Sequence, residues 1–166
     1  MERLEIRQAV PADYDWILDV NEKNVEVLAP MDMDKLKLFA EKMADMLLVI
    51  EEEGEKAAFL IALREGCSLY DSENYRWFCD KYEKFLYIDR IVIAEGFRGR
   101  GIGREIYRYV FDYARANGVS FVTAEIDTIP YNGPSLKFHE AMGFREVGTQ
   151  YVRNGAVRVS LQEAAL

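Results

Sequence analysis

The chain has 166 residues, of which 50% are hydrophobic and 30% are charged, and its net charge at neutral pH is −8. This length and apolar content are sufficient for a single compact domain over residues 1–166. The acidic balance argues against a nucleic-acid-binding protein, because such proteins usually present a broad basic face. No apolar run is long enough to span a membrane, and the N-terminus shows no apolar signal region. We therefore expect a cytoplasmic protein without a membrane partner.

Metal chemistry is not expected, because the chain has only two cysteines and one histidine. His139 alone cannot form a His-rich site, and the sequence shows no other plausible metal cluster. Cys67 and Cys79 do not form a CxxC pair and are expected to be reduced thiols. A disulfide between them requires a geometry that the sequence does not supply, so this alternative stays open.

The N-terminal half is predicted to form one strand, two helices and a hairpin. Residues of the first strand alternate between apolar and polar, whereas apolar residues in the second helix recur at the spacing of one helical face. The acidic run of residues 51–55 is interpreted as a solvated hairpin turn. The predicted bounds are 4–9 for the first strand, 11–27 and 34–45 for the helices, and 47–52 and 57–64 for the hairpin strands.

The connection over residues 65–85 is longer than a tight hairpin requires, and long connections are often functional. We predict an extra helix over residues 74–84. Its aromatic side chains pack on the core, or they form a lid that shapes the pocket of an acceptor substrate. In a third alternative, one face of the helix packs on the core and the other faces the substrate. The aromatic residues of the connection are Tyr70, Tyr75, Trp77, Phe78, Tyr82 and Phe85.

The C-terminal half is predicted to form four strands and two helices. The short helix lies between Pro134, which suits a first helical turn, and Gly143, which suits a C-terminal cap. Asn154-Gly155 is a strong signal for the turn of a terminal hairpin. The predicted bounds are 86–93, 121–127, 145–152 and 156–162 for the strands and 106–117 for the longer helix.

The segment Arg98-Gly-Arg-Gly-Ile-Gly103 joins a predicted strand to a predicted helix. Its three glycines allow positive φ and a close approach of the backbone to a ligand. The N-terminus of the following helix attracts anions, and the arginines of the segment and of the helix add positive charge. In a chain of net charge −8, a bound phosphate or pyrophosphate explains this basic cluster.

Two common phosphate-binding loops are excluded by their spacing. A P-loop ends in Gly-Lys-Ser/Thr, whereas this loop continues as Gly103-Arg104-Glu105. The dinucleotide fingerprint requires a third glycine three residues after the second, and with Gly99 and Gly101 as the first two, that position is Arg104.

A second segment, Asn132-Gly-Pro-Ser-Leu-Lys-Phe-His-Glu-Ala-Met-Gly-Phe144, follows the next predicted strand. Ser135 and His139 lie four residues apart and share one face of its short helix.

The pattern Arg98-x-x-Gly101-x-Gly103 resembles the pyrophosphate loop of the GNAT superfamily of N-acyltransferases, and the second segment is similar to that superfamily's second signature. The resemblance is good over residues 86–150, whereas the N-terminal half matches only in its order of elements. It implies an α/β GNAT-type acyl-CoA N-acyltransferase fold, with a central mixed, mostly antiparallel sheet of about seven strands and about four helices. The expected order is βααβββαβαββ, and the expected co-substrate is acetyl-CoA.

The resemblance also implies which residues bind acetyl-CoA. The fourth and fifth strands splay apart, and the backbone of the fourth strand holds the pantetheine arm. The backbone of the glycine loop holds the pyrophosphate, and Asn132 bonds to pantetheine or acts only as a turn residue. The implied binding residues are Ile91, Val92, Ile93, Arg98, Gly99, Arg100, Gly101, Ile102, Gly103, Arg104, Asn132, Ser135 and Phe138.

His139 occupies the position where the superfamily usually has a tyrosine that protonates the leaving thiolate. A histidine can protonate the thiolate as a cation, or its neutral N–H can stabilise the sulfur by a hydrogen bond. It can also simply fill the space of the tyrosine. These three alternatives stay open.

Three carboxylates are candidates for the base that removes the proton of the amine. Glu125 and Asp127 alternate on one strand and share a face, and Asp127 lies where some family members carry a glutamate base. Asp89 shares a strand face with apolar neighbours, and Arg90 points to the opposite face, so we do not expect them to pair. For each of these three carboxylates, a structural ion pair is the alternative to a role as base. Water can also remove the proton of the amine, so that no dedicated base is needed.

The resulting hypothesis is an enzyme that transfers an acetyl group from acetyl-CoA to a primary amine of a small molecule. The amine attacks directly in a ternary complex, because neither Cys67 nor Cys79 lies in either motif. The alternatives are a protein N-terminal or lysine acetyltransferase, a non-catalytic acyl-CoA-binding module, and a scaffolding domain. Homodimerisation through the terminal hairpin stays open.

Overall fold

The computed structural model describes residues 4–26 and 28–166, which form seven strands and five α-helices. The strands follow the order β1-β2-β3-β4-β5-β7-β6 in a mixed sheet, and this confirms the predicted α/β class. The strands are β1 Leu4–Gln8, β2 Met46–Glu52, β3 Glu55–Arg64, β4 Leu86–Ile93, β5 Phe121–Ile129, β6 Phe144–Val152 and β7 Val157–Ala165. The helices are α1 Tyr14–Glu22, α2 Met33–Leu38, α3 Glu73–Lys81, α4 Ile102–Ala116 and α5 Gly133–Ala141.

Within the described residues, the element order is βααββαβαβαββ, so the predicted order βααβββαβαββ lacks one helix. The missing element is α3, which the aromatic connection forms between β3 and β4. The predicted order is the one that the family resemblance implies, and it does not include the helix over residues 74–84, which we predict from the connection itself. That helix is confirmed, with slightly different bounds.

The first predicted helix is shorter in the structure than in the sequence analysis. It begins with a 3-10 turn, Pro11–Asp13, and α1 ends at Glu22. The amide of Asn24 donates to the Val20 carbonyl at 2.8 Å, so a side chain satisfies a carbonyl at the helix end. The predicted end at Val27 lies outside the described residues. The second predicted helix is divided into α2 and a π-helical turn, Phe39–Met43.

The chain divides into two compact units, of which the first comprises the chain up to Leu63 together with Ile88–Arg108. In this unit β1, β2 and β3 pair antiparallel. The turn between β2 and β3 consists of Glu53 and Gly54, both at positive φ, as in a two-residue hairpin. The largest fully buried side chains here are Ile17, Leu36, Phe39, Leu47, Ile50, Phe59, Leu60 and Tyr107.

The second unit comprises Arg64–Tyr87 and Tyr109–Leu166. Strands β5 and β6 both pair antiparallel with β7, and the start of β4 pairs parallel with β5. The core contains an aromatic cluster in which ring centroids lie 5.5 to 6.2 Å apart. Its members are Tyr75, Phe78, Phe85 and Tyr87, so three of the six aromatic side chains of the connection pack on the core, as the first alternative predicts for them.

Helix α3 is fixed to β6 by a close contact between Trp77 and Gly148. A Cβ at position 148 would overlap Trp77 Cζ2 and lie 2.8 Å from Cη2. Gly148 lies at the irregularity where the register of β6 against β7 shifts, and isolated glycines in strands often mark such places. Gln150 also donates to Asn74 Oδ1 at 3.0 Å. The lid hypothesis for this segment stays untested.

We expect Gly148→Ala to lower the free energy of unfolding by about 1 to 3 kcal/mol, because the new methyl group displaces the Trp77 ring. Chemical denaturation of the purified variant measures this. Gly96→Ala is the matched control, because a Cβ at Gly96 meets no atom within 4 Å and its φ is not positive. Equal free energies of unfolding for the two variants would show that the packing of the Trp77 ring does not require a glycine at position 148.

Candidate active site

The glycine loop of the first unit turns the chain from β4 into α4. After a 3-10 turn, Glu95–Phe97, the φ angles of Gly99 and Gly101 are 77° and 80°. These angles strain any residue with a Cβ, so the sequence meets a backbone requirement at both positions. The helix begins at Ile102, four residues before the predicted start at 106, so Gly103 lies in its first turn. The expectation of positive φ thus holds for Gly99 and Gly101 only.

The loop presents a fitting environment for a pyrophosphate. The first backbone N–H groups of α4 have no acceptor within the helix, and the positive end of the helix dipole lies there. A Cβ added at Gly99 or Gly101 would meet no atom within 4 Å, so the backbone is open to a ligand at these positions.

The arginines of the loop have different partners. Arg98 donates to the Ile93 carbonyl at 3.2 Å and to Asn24 Oδ1 at 2.9 Å. Arg100 donates to Glu52 Oε1 at 2.6 Å. Arg104 is exposed, and within residues 4–26 and 28–166 it forms no ion pair. Two of the predicted phosphate ligands thus bind protein groups, and Arg104 remains available to an anion.

The end of β4 carries the residues expected to line the pantetheine arm. Ile91 and Ile93 are half-buried, and Val92 between them is buried. This alternation is that of a strand with two differently covered faces.

Asp89 and Arg90 form an ion pair, contrary to the sequence-based expectation. Arg90 Nε donates to Asp89 Oδ2 at 2.7 Å, and both side chains are almost fully buried. The long arginine side chain reaches its neighbour although their Cβ atoms lie on opposite strand faces. Arg90 also donates to Asn21 Oδ1 at 2.9 Å and to the Ala29 carbonyl at 3.0 Å. Arg90 thus ties β4 to the end of α1 and to the segment between α1 and α2.

In the second unit, Asn132 caps helix α5. Its Oδ1 accepts from the Ser135 N–H at 3.4 Å, and its own N–H donates to the Asp127 carbonyl at 3.1 Å. The turn-residue alternative for Asn132 therefore holds, and its side-chain amide group remains a candidate donor to a ligand.

His139 is buried, with 5% of its surface exposed. Its Nδ1 lies 2.8 Å from the Ser135 carbonyl oxygen and 3.3 Å from Ser135 Oγ, which confirms the predicted shared face. Phe138 and Phe144 contact the imidazole edge to face. Burial lowers the pKa of His139 below its ordinary value, and the Ser135 carbonyl opposes this only in part.

This arrangement determines which ring nitrogen carries the proton in the neutral imidazole. A carbonyl oxygen only accepts, so Nδ1 carries the proton and donates it to Ser135. In the neutral ring, Nε2 then carries a lone pair and no proton. An N–H donor at Nε2 exists only in the cation, which burial disfavours. With the proton on Nδ1, the neutral ring has no N–H at Nε2, and the three alternatives for His139 stay predictions.

The carboxylates of β5 differ in their surroundings. The Tyr87 hydroxyl donates to Glu125, which gives Glu125 a structural partner that the sequence analysis missed. Asp127 is half-buried, and burial raises its pKa above the ordinary range, while the positive charge of Arg153 opposes this shift.

The first unit therefore brings together Asp89, the end of β4 and the glycine loop, and the second brings together Glu125, Asp127 and α5. Among the described residues, no three metal-ligating side chains come together. In this same part of the chain, no helix is long and apolar enough to cross a membrane.

One curated protein is similar to part of the chain. Streptothricin acetyltransferase of Streptomyces lavendulae is 36% identical over 63 residues, which cover 38% of this chain and 32% of that protein. The match thus spans about a third of the relative's length.

Solved structures share the fold over nearly the whole chain. The ribosomal-protein-S18-alanine N-acetyltransferase from Escherichia coli superposes with a TM-score of 0.72, at 14% identity, over 98% of this chain and 93% of that one. The structure of yncA from Salmonella typhimurium, solved with its cofactor acetyl-CoA, gives a TM-score of 0.67 at 20% identity, over 99% and 94%. Residues 14–144 match the Acetyltransferase (GNAT) family, and because this stretch is most of the chain, the protein belongs to that family.

Proposed function

We propose that the protein transfers an acetyl group from acetyl-CoA to a primary amine of a small molecule, by direct attack in a ternary complex. The observation that carries this proposal is the turn at Gly99 and Gly101 into the N-terminus of α4, with Arg104 exposed beside it. When bound, acetyl-CoA supplies the acetyl group as a thioester. Cytoplasmic location and dimerisation through the terminal hairpin stay predictions.

The local match to streptothricin acetyltransferase supports a small-molecule acceptor, since streptothricin is the acceptor in that protein's name. The E. coli enzyme, whose name gives a protein acceptor, has 14% identity and supports the fold alone. Protein acetylation is therefore the second candidate, and a screen of acceptors should contain peptides as well as small amines.

The residues that hold the co-substrate have separate tasks in this proposal. The backbone at Ile91, Val92 and Ile93 bonds to the pantetheine arm. The N–H groups from Gly99 to Arg104 bind the pyrophosphate, and the Arg104 side chain adds charge. Ser135, Phe138 and the Asn132 amide contribute from α5.

For His139 we propose a proton transfer in two steps at Nε2. The lone pair of neutral Nε2 first takes the proton that the attacking amine loses. The resulting cation then donates this proton to the leaving sulfur, so that His139 returns to its neutral state. Nδ1 keeps its bond to the Ser135 carbonyl throughout and holds the ring in position. The acid function predicted for His139 is retained, but it follows the uptake of a proton.

Among the carboxylates, Asp127 is our candidate for the group that takes a proton from the protonated amine before the attack, or that orients the amine, whereas His139 takes the proton lost during the attack. Burial raises its pKa, which makes it a stronger base than an exposed aspartate. Glu125 and Asp89 are bound to Tyr87 and Arg90, and we assign them positioning tasks.

Calorimetry with acetyl-CoA tests the loop. We expect the wild type to bind and Gly101→Glu to bind at least about tenfold more weakly, because the new carboxylate repels the pyrophosphate. Gly66→Glu is the matched control, since Gly66 also has positive φ with open space around its Cβ position, in the segment between β3 and α3. Binding without turnover on the acceptor screen would favour the non-catalytic module, and no binding by the wild type would contradict the proposal.

The pH dependence of kcat/KM tests His139. The reactive form is neutral, so we expect activity to rise with pH through a pKa below about 6.5. This limb should disappear in His139→Gln, with kcat lowered about 100-fold or more. His139 is the only histidine, so NMR can follow its titration directly. A wild-type activity that falls as pH rises from 5 to 7 would show a cationic acid in the ground state. Full activity of His139→Phe would show a space-filling role.

The third test compares two neutral variants of β5. We expect Asp127→Asn to lower kcat by about 10- to 100-fold. Glu125→Gln should mainly lower stability, because the Tyr87 hydroxyl loses its charged acceptor. Steady-state kinetics and thermal unfolding of both variants separate the two roles. An unchanged kcat for Asp127→Asn would mean that this carboxylate neither accepts a proton from the amine nor orients it.

A further inference from the structure

Glu52 is a buried carboxylate that the sequence analysis placed in a solvated acidic turn. It ends β2, directly before the two-residue turn, and its side chain is 3% exposed. Its Oε1 accepts from Arg100 Nη1 at 2.6 Å. Its Oε2 is buried and has no hydrogen-bond partner among the described residues. A carboxylate in this environment depends on its single ion pair, because burial of an unpaired charge is strongly unfavourable.

Arg100 is the residue between the two glycines at positive φ. The flanking glycines are conformationally permissive, so the loop needs another source of order. The guanidinium supplies it, because it bonds to Glu52 and also lies 5.3 Å from the centroid of the Phe97 ring. Glu52 itself is held by the tight turn at Glu53 and Gly54.

A direct contact between Arg100 and a phosphate would compete with this pair. If Arg100 moved to the ligand, Glu52 would remain buried and unpaired, which is the costly state. Arg104 offers a charge without that cost, since it is exposed and forms no ion pair in the described part of the chain.

We propose that Glu52 is a positioning residue for acetyl-CoA binding. It holds Arg100 and thereby orders the backbone of the loop, so that its N–H groups are directed at the pyrophosphate before the ligand arrives. Arg100 stays on Glu52 in the complex and does not bind phosphate. This inference rests on the proposed function, because it assigns a task within the acetyl-CoA site.

The effect of Glu52→Gln has opposite signs in the two interpretations. If Glu52 only competes with phosphate for Arg100, removal of its charge leaves acetyl-CoA binding unchanged or makes it tighter. If Glu52 orders the loop, the same variant binds more weakly, because ordering the loop then has to occur on binding.

The experiment measures acetyl-CoA binding by calorimetry at low and high salt, and amide hydrogen exchange of residues 99–104 without ligand. The variants are Glu52→Gln and the double variant Glu52→Gln/Arg100→Gln, which leaves no unpaired carboxylate buried. Glu51→Gln is the matched control, since the neighbouring Glu51 bonds to Arg7 at 2.7 Å rather than to the loop.

We expect Glu52→Gln and the double variant to bind acetyl-CoA about tenfold more weakly than the wild type. Their amides at residues 99–104 should also exchange faster, whereas Glu51→Gln should match the wild type in both measurements. The double variant should keep the salt dependence of the wild type, because the net charge is unchanged and no phosphate contact is lost. Wild-type or tighter binding by Glu52→Gln would overturn the inference, as would a weaker salt dependence of the double variant. If the wild type does not bind acetyl-CoA, the proposed function fails, whereas the exchange measurement still tests whether Glu52 orders the loop.

Discussion

The turn from β4 into α4 is the constraint on which the proposed acetyl-CoA site depends. The backbone must expose its N–H groups to a doubly charged ligand, and this requires positive φ at Gly99 and Gly101. Glycine meets the requirement but lowers the order of the loop. The fold offsets this with side chains, since Arg98 binds the end of β4 and Arg100 binds the end of β2. Ile102 and Ile106 are buried and fix the start of the helix. The arginines of this loop therefore have structural as well as electrostatic tasks.

Patterns that lie within a few residues of one another predicted most of the fold and part of the site. The strand and helix spacings, the glycine loop and the shared face of Ser135 and His139 all belong to this local class. Contacts between distant positions were not predictable. Glu52 and Arg100 are 48 residues apart, and the continuous apolar run before Glu52 does not indicate which face its side chain takes. The prediction that Asp89 and Arg90 do not pair was wrong for another reason. The rule of alternating strand faces concerns the directions of the Cβ atoms and not the reach of a guanidinium.

A histidine in place of the family's tyrosine changes the chemistry available at that position. A phenol at neutral pH always has a proton to donate. An imidazole has two nitrogens, and the Ser135 carbonyl decides which of them carries the proton. Burial against Phe138 and Phe144 lowers the pKa of the imidazole and so favours the neutral ring. In the mechanism that we propose, the side chain therefore begins the reaction as a proton acceptor, and its function as a donor depends on the substrate amine. The proton that leaves the amine then becomes the proton that reaches the sulfur.

The contact of Trp77 with Gly148 also has a consequence for the order in which the chain acquires its structure. During synthesis, α3 leaves the ribosome well before β6. Until Gly148 follows, the indole lacks the surface it packs against, and the same holds for Asn74 and Gln150. The hydrogen bond from the Tyr82 hydroxyl to Glu163 likewise forms only after β7 has been synthesised. The aromatic segment thus completes its packing only when the terminal hairpin has been translated. A nascent chain that stops before β6 would expose Trp77 to solvent and to chaperones.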